Sequence, residues 1–273
     1  MKEEAQVEVT FEDCKEENKD VIIALLDNIG FNGFDESNAF LKAYIDKSNY
    51  NDADLKTIAD SYSLPFTTKE IQPQNWNALW ESNFEPVIID DFVAVRAHFH
   101  EPIINVEHEI VITPKMSFGT GHHATTTMMV QQMRDLEFLN KSVFDFGTGT
   151  GILAILAEKL GADNVLAIDN DSWSIENSRE NIERNQCRYI KIELSDSAIV
   201  SNTFDIILAN INRNVILDNL VFLNDRLHEN GYLLLSGLLL EDEDAIIKES
   251  KHYPLIHQNT RQLGQWISLL FSR

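Results

Sequence analysis

From residue 142 onward, short apolar runs alternate with longer amphipathic stretches. The runs at 142–146, 164–168, 189–194, 204–209 and 232–236 have the length and aliphatic content of buried strands. Between them, 152–160, 172–185, 214–228 and 242–251 carry apolar residues at helical spacing. Repeated strand–helix units predict an α/β domain with a parallel, doubly wound sheet and right-handed crossovers. The last two strands, near 254–260 and 265–271, are joined by a short Gln-Leu-Gly link and predict an antiparallel hairpin.

The first seventy residues are patterned differently. Residues 7–11 and 39–45 alternate like strands, 19–29 and 52–61 have helical spacing, and 66–71 closes the set as a strand. In 39–45, Phe40, Lys42 and Tyr44 share one face, and Leu41, Ala43 and Ile45 the other. Gly30 is expected to end the first helix, and Asn51 or Asp52 to cap the second. With one further strand, not placed by the pattern, the order becomes strand-helix-strand-strand-helix-strand and predicts a small ferredoxin-like α+β domain.

Pro65 and Pro73 punctuate a connection, after which Trp76, Trp80 and Phe84 fall on one helix face. This stripe is read as packing that seats a linker helix. Residues 87–95 and 108–113 are expected as two strands leading into the next domain. The expected division is therefore a first domain at 1–70, a linker helix and strands at 71–115, and a catalytic domain at 116–273.

Charge narrows the partners. The formal net charge is −22, from 22 basic and 44 acidic residues. Such a surface repels phosphate backbones, so direct duplex binding is disfavoured and a basic protein partner is favoured. Cys14 and Cys187 form no C-x-x-C pair, which argues against a disulfide frame or a zinc site. There is no 18-residue apolar window and no apolar signal core after Met1, so neither a membrane span nor secretion is expected, and the location is read as cytoplasmic.

The chemistry is concentrated in three places. Residues 143–151 read Val-Phe-Asp-Phe-Gly-Thr-Gly-Thr-Gly, a Gly-rich turn from strand to helix that lets backbone approach a ligand closely. Asp169 stands at the tip of the next strand, where a carboxylate can accept both hydroxyls of a ribose. Together these indicate a nucleoside-containing cofactor. Ile152 stands where the dinucleotide fingerprint needs its third glycine, and the Gly-Lys-Ser/Thr of a phosphate-binding P-loop is absent.

The second place is 114–127, with Gly119 and Gly121 in a pliant loop before threonines that can cap a following helix. Adjacent His122 and His123 cannot easily ligate one metal, and no metal is expected. The third is Asn210, at the carboxyl end of the fourth strand. Its amide oxygen and a neighbouring backbone carbonyl can accept hydrogen bonds from an amine and aim the nitrogen lone pair at an electrophilic methyl. The bland alternative is an Asn that caps the next helix.

The pattern Asp145-x-Gly147-x-Gly149-x-Gly151 is similar to the first motif of S-adenosylmethionine (SAM) methyltransferases. With Phe118-Gly-Thr-Gly-x-His123-x-Thr125-Thr126, Ile168-Asp169 and Ala209-Asn210-Ile211, the chain resembles the bacterial large-subunit ribosomal protein eleven methyltransferases, the PrmA family. The resemblance is strong from about 74 to 240 and includes Trp76, Trp80, Phe84 and Pro86. It implies a class I methyltransferase sheet with a reversed final strand, and SAM as cofactor. It implies SAM contacts at Thr126, Gly147, Gly149, Asp169 and Asn210, and an N-terminal domain that presents the substrate. It also implies transfer of methyl groups to lysine side chains and the N-terminal amine of a basic ribosomal protein. The chain departs from the family pattern at His122-His123-Ala124, where Thr-His-Pro is usual, at Thr148, often Cys, and at Asn212, often Leu.

No strong base is evident beside Asn210, so orientation and a desolvating pocket are expected to carry the catalysis, with Asn210 orienting the amine. Two alternatives stay open: SAM-dependent transfer to another acceptor such as a nucleobase or glutamine, and an inactive SAM-binding module. The first rests on a likeness of Asn210-Ile-Asn212 to the Asn-Pro-Pro-Tyr loop, but no aromatic clamp occurs in 210–216.

Overall fold

The computed structural model describes residues 5–12, 14, 16–36, 40–71, 84–115 and 119–273. The chain forms two compact units, Met1–Asn83 and Phe84–Arg273. The expected aromatic stripe at Trp76 and Trp80 lies outside the described residues, as does Phe118.

In the first unit, β1 (Gln6–Glu12), α1 (Glu16–Asn28), β2 (Gly33–Glu36), β3 (Phe40–Asp46), α2 (Asp52–Ser61) and β4 (Phe66–Ile71) follow in order. The sheet order is β2-β3-β1-β4, with antiparallel neighbours throughout. This is the ferredoxin-like arrangement the pattern predicts. Alternation decides the faces: Val7, Val9 and Phe11 of β1 and Leu41, Ala43 and Ile45 of β3 are buried against Ile22, Leu26, Leu55 and Ile58 of the helices. Asn51, rather than Asp52, caps α2, its side chain accepting the Ala53 N–H at 3.0 Å.

The second unit begins with β5 (Val87–Ile89), β6 (Val93–Ala97) and β7 (His108–Ile112), a three-stranded sheet in that order. The expected single strand at 87–95 is a hairpin instead, turned at Asp90, which takes a left-handed φ of 53°. These strands share a core with α3 (Ala124–Met133) and the later helices, so residues 84–115 pack as part of this unit.

Then come β8 (Ser142–Phe146), α4 (Ile152–Lys159), β9 (Asn164–Asp169), α5 (Ser172–Arg184), β10 (Ile190–Leu194), β11 (Phe204–Asn210), α6 (Arg213–Arg226), β12 (Leu227–Leu239), α7 (Glu243–Ser250), β13 (Ile256–Leu263) and β14 (Trp266–Ser272). They build a seven-stranded sheet in the order β10-β9-β8-β11-β12-β14-β13, parallel except for β14. Sheet faces are divided residue by residue: Val143 packs with α3 and α4, while Phe144 and Phe146 pack with Ile216, Leu220 and Leu223 of α6. Strand β12 is longer than the expected 232–236, since its polar first turns ride alongside β11 from Phe204.

Candidate active site

The sheet order sets the site. The carboxyl ends of the parallel strands, and the opposite end of antiparallel β14, meet at one edge around a cavity of about 420 Å³. Gly147 and Gly149 enter it from β8, Asp169 from β9, Asn210 from β11 and Trp266 from β14, with Thr126 from α3. Thus every residue expected to hold the cofactor lines one cavity. Asp169 and Asn210 stand on strands two apart, a separation of about 10 Å at the usual strand spacing.

The glycine loop is shaped by close approach. Gly147 has a φ of 81°, and a Cβ there would collide with Cγ2 of Ile211. The Gly147 and Thr148 N–H groups both donate to Ile168 O at 2.9 Å, which folds the loop back onto β9. The Gly149 N–H donates to Oδ2 of Asp169 at 2.8 Å, and the Asp171 N–H to Oδ1 at 3.0 Å. The carboxylate is therefore held by backbone before any ligand arrives, and each oxygen keeps further acceptor capacity.

Asp145 lies beneath this loop, fully buried, with Oδ2 accepting the Thr148 hydroxyl at 2.6 Å and Oδ1 without a partner. Burial pushes its carboxyl up to about 7, against the pull of the Thr148 hydroxyl and with a push from the charge of Asp169. Asp145, near the end of β8, thus titrates well above the ordinary carboxylate range.

Asn210 is half-buried, and its Oδ1, like those of Asn177 and Asn224, is buried without a partner, while Nδ2 donates to Oγ1 of Thr126 at a long 3.4 Å. Buried acceptors are rarely left unmet. The helix-capping alternative does not hold here, because Asn212 caps α6, accepting the Val215 N–H at 3.1 Å. The expectation that threonines cap α3 is also corrected. His123 is the cap, its Nδ1 accepting from the Thr125 N–H, and Thr125 and Thr126 lie inside the helix. His122 is held by Glu85 O at 3.0 Å and by Thr120 at 3.1 Å, and its ring meets the edge of Phe84. Among the described residues no three His, Cys, Asp or Glu side chains gather as a metal site.

Trp266 escaped the sequence reading. It meets the His123 ring edge-on at 4.6 Å and forms part of the cavity wall. The signal was available: a final strand running against the others must start where they end. Ser195 and Asp196, just past β10, also line the cavity.

The chain matches the family described as "Ribosomal protein L11 methyltransferase (PrmA)" over residues 1–273. It is 40% identical over 261 residues to the ribosomal protein L11 methyltransferase of Porphyromonas gingivalis, covering 93% of this chain and 90% of that one. The enzyme of the same name from Chlorobaculum tepidum is 38% identical over 264 residues, covering 92% and 91%. The crystal structure of ribosomal protein L11 methylase from Lactobacillus delbrueckii subsp. bulgaricus is similar with a TM-score of 0.65 at 29% identity, covering 70% of this chain and 99% of that chain. A match from the first residue to the last, with relatives agreeing over nine-tenths of both chains, means that this chain belongs to the ribosomal protein L11 methyltransferase (PrmA) family.

Proposed function

We propose that the chain is a SAM-dependent methyltransferase acting on amino groups, lysine side chains and the N-terminal amine, of ribosomal protein L11. The observation that carries the reading is the unmet Oδ1 of Asn210 in a cavity that also holds Asp169 and the glycine loop. The cavity fits the cofactor on its own features: a glycine loop lining it, a preorganised carboxylate, and an acceptor without a protein partner. Asp169 would accept the ribose hydroxyls, with Gly147 and Gly149 against the methionine portion and Thr126 and Asn210 closing the far side. Bound there, SAM supplies an activated methyl group on a sulfonium.

Asn210 Oδ1 would accept a hydrogen bond from the substrate amine and fix the direction of its lone pair. His123, the imidazole of the cavity wall, already has Nδ1 engaged by Thr125 at 2.8 Å. On this reading the amine arrives neutral. At pH 7 that costs about 4.6 kcal/mol for a lysine with pKa near 10.4, and only about 1 kcal/mol for an α-amine near 7.8. Orientation and exclusion of water carry the rest.

The substrate role goes to the first unit. Residues 1–70 hold 16 acidic and 7 basic side chains, a surface suited to a basic ribosomal protein. The same acidity, with a net charge of −22, disfavours direct duplex binding. No helix of the described residues is long and apolar enough to cross a membrane, and a ribosomal substrate points to the cytoplasm.

Transfer of labelled methyl from SAM to purified L11 tests the reading. Label is expected on amino groups of L11 and absent from nucleobases and glutamine peptides. Label on either of the latter, with none on L11, would favour the alternative acceptors; SAM binding with no transfer at all would leave the binding module.

A further inference from the structure

Helix α5 buries a polar stripe where an amphipathic helix normally buries an apolar one. Asn177 and Asn181 are fully buried, and Asn185 follows at the next turn, so the three share one face at i, i+4 and i+8. Opposite them runs β7, an edge strand of its sheet. The carbonyl of Ile112 faces inward, accepting the His98 N–H at 3.1 Å, which turns the backbone of Val111 and Thr113 outward.

The asparagines meet those outward groups in turn. Asn185 accepts the Val111 N–H at 3.0 Å and donates to Val111 O at 2.7 Å. Asn181 accepts the Thr113 N–H at 2.7 Å, and Asn177 donates to Thr113 O at 3.0 Å. Side-chain amides thus stand in for the next strand and cover the edge.

Asn181 does one thing more. Its Nδ2 donates to the carbonyl of Thr150 at 2.8 Å, and Thr150 is itself fully buried in the glycine loop. The Thr150 hydroxyl in turn donates to Gly119 O, at the cavity wall. The loop is otherwise a run of left-handed glycines at 147, 149 and 151, whose backbone has wide conformational freedom.

Building on the SAM-methyltransferase reading, we propose that Asn181 is a positioning residue for the cofactor loop: one amide that fastens the Thr150 peptide to the end of β7 and, through Thr150, to Gly119. It touches neither the cavity nor the proposed reacting atoms. It holds the Thr150–Gly151 peptide, two peptides on from the Gly149 N–H that donates to Asp169, and so limits the course the glycine loop can take. The amide serves both ends at once, its oxygen accepting from Thr113 and its nitrogen donating to Thr150.

The test uses the full chain and S-adenosylhomocysteine as the calorimetric probe, with SAM kinetics beside it. Asn181→Ala is expected to weaken the probe and raise KM for SAM about tenfold, with kcat at saturating SAM changed less than threefold. Asn185→Ala, which loosens β7 without touching the loop, is expected to lower Tm to a similar extent while affinity stays within twofold. Thr150→Val should weaken the probe as well. The double variant Asn181→Ala/Thr150→Val should be no weaker than the worse single variant by more than twofold, because both act through one clasp.

If Asn181→Ala does not fold, Asn181→Leu, similar in length and without polar atoms, serves in its place, with the same expected loss. Wild-type affinity in either Asn181 variant, or equal losses in Asn181→Ala and Asn185→Ala, would overturn the proposal. A wild-type chain that binds neither SAM nor the probe would overturn the underlying methyltransferase reading instead.

Discussion

Asn210 offers a test in which stability and activity move in opposite directions. Replace it by leucine, similar in length and without polar atoms. In the structure the amide oxygen is buried and unmet, a state that costs about 1–3 kcal/mol. The variant also loses the Nδ2 contact to Thr126, which at 3.4 Å is long and worth about 0.5 kcal/mol. The net expectation is a fold stabilised by about 1–2 kcal/mol. For a unit of this size each kcal/mol moves Tm by about 2–4 °C, so the melt of the ligand-free protein should rise by about 2–8 °C. Methyl transfer should fall about 100-fold or more, because the group proposed to orient the amine is gone. Binding of S-adenosylhomocysteine should weaken by a smaller factor. Differential scanning calorimetry and labelled methyl transfer on the same sample decide the matter. A less stable leucine variant would mean that the oxygen is satisfied in the resting protein, and full turnover would remove Asn210 from the chemistry.

Three further outcomes are expected. Asp169→Ala should weaken SAM at least tenfold in calorimetry, since charge-assisted hydrogen bonds are worth about 1.5–3 kcal/mol each; an unchanged affinity would move the ribose elsewhere. Asp145 keeps its proton up to about pH 7 in the fold but releases it near 3.8 when unfolded, so the native state binds the extra proton between these values. Wild-type stability relative to Asp145→Asn should therefore decline from pH 4 to 7, by an amount of order 4 kcal/mol, and level off above; a difference flat across pH 4–8 in denaturant titrations counts against a proton on Asp145. Removing residues 1–83 should leave S-adenosylhomocysteine binding nearly intact while abolishing methylation of intact L11, and a wild-type rate on the full protein would reduce the first unit to an appendage.

Much of this was legible in the chain. The strands at 142–146, 164–168 and 204–209 match β8, β9 and β11 to within a residue, because each is a mostly apolar run closed by Gly, Asp or Asn. Gly147, Asp169 and Asn210 could be placed together because strand ends of a parallel sheet share one edge. Contacts that depend on backbone course were not legible. The caps were misread around α3 and unresolved around α6, since His123 against Thr125 or Asn210 against Asn212 differ only in where the first helical turn begins. The turn at Asp90 needs a left-handed φ, which no sequence pattern there announces. Trp266 and the α5 asparagines were missed for a shared reason: their partners lie far along the chain, and their residue types read as ordinary packing or an ordinary polar face.

The placement of β14 has a consequence for how the protein is made. It sits between β12 and β13, antiparallel to both, although it follows both in the chain. During synthesis the parallel strands emerge first, and β12 waits as the rim of an unfinished sheet. Its residues Leu233, Leu234 and Leu235 have apolar side chains on both faces, and the backbone that will pair with Leu269, Leu270 and Phe271 is bare. Such a rim invites pairing with a neighbouring nascent chain. A ribosome halted before codon 266 would thus release a product that is sticky and also lacks the Trp266 wall of its cavity. Completion of the sheet and completion of the pocket are one late event, so a half-made chain carries no finished cavity.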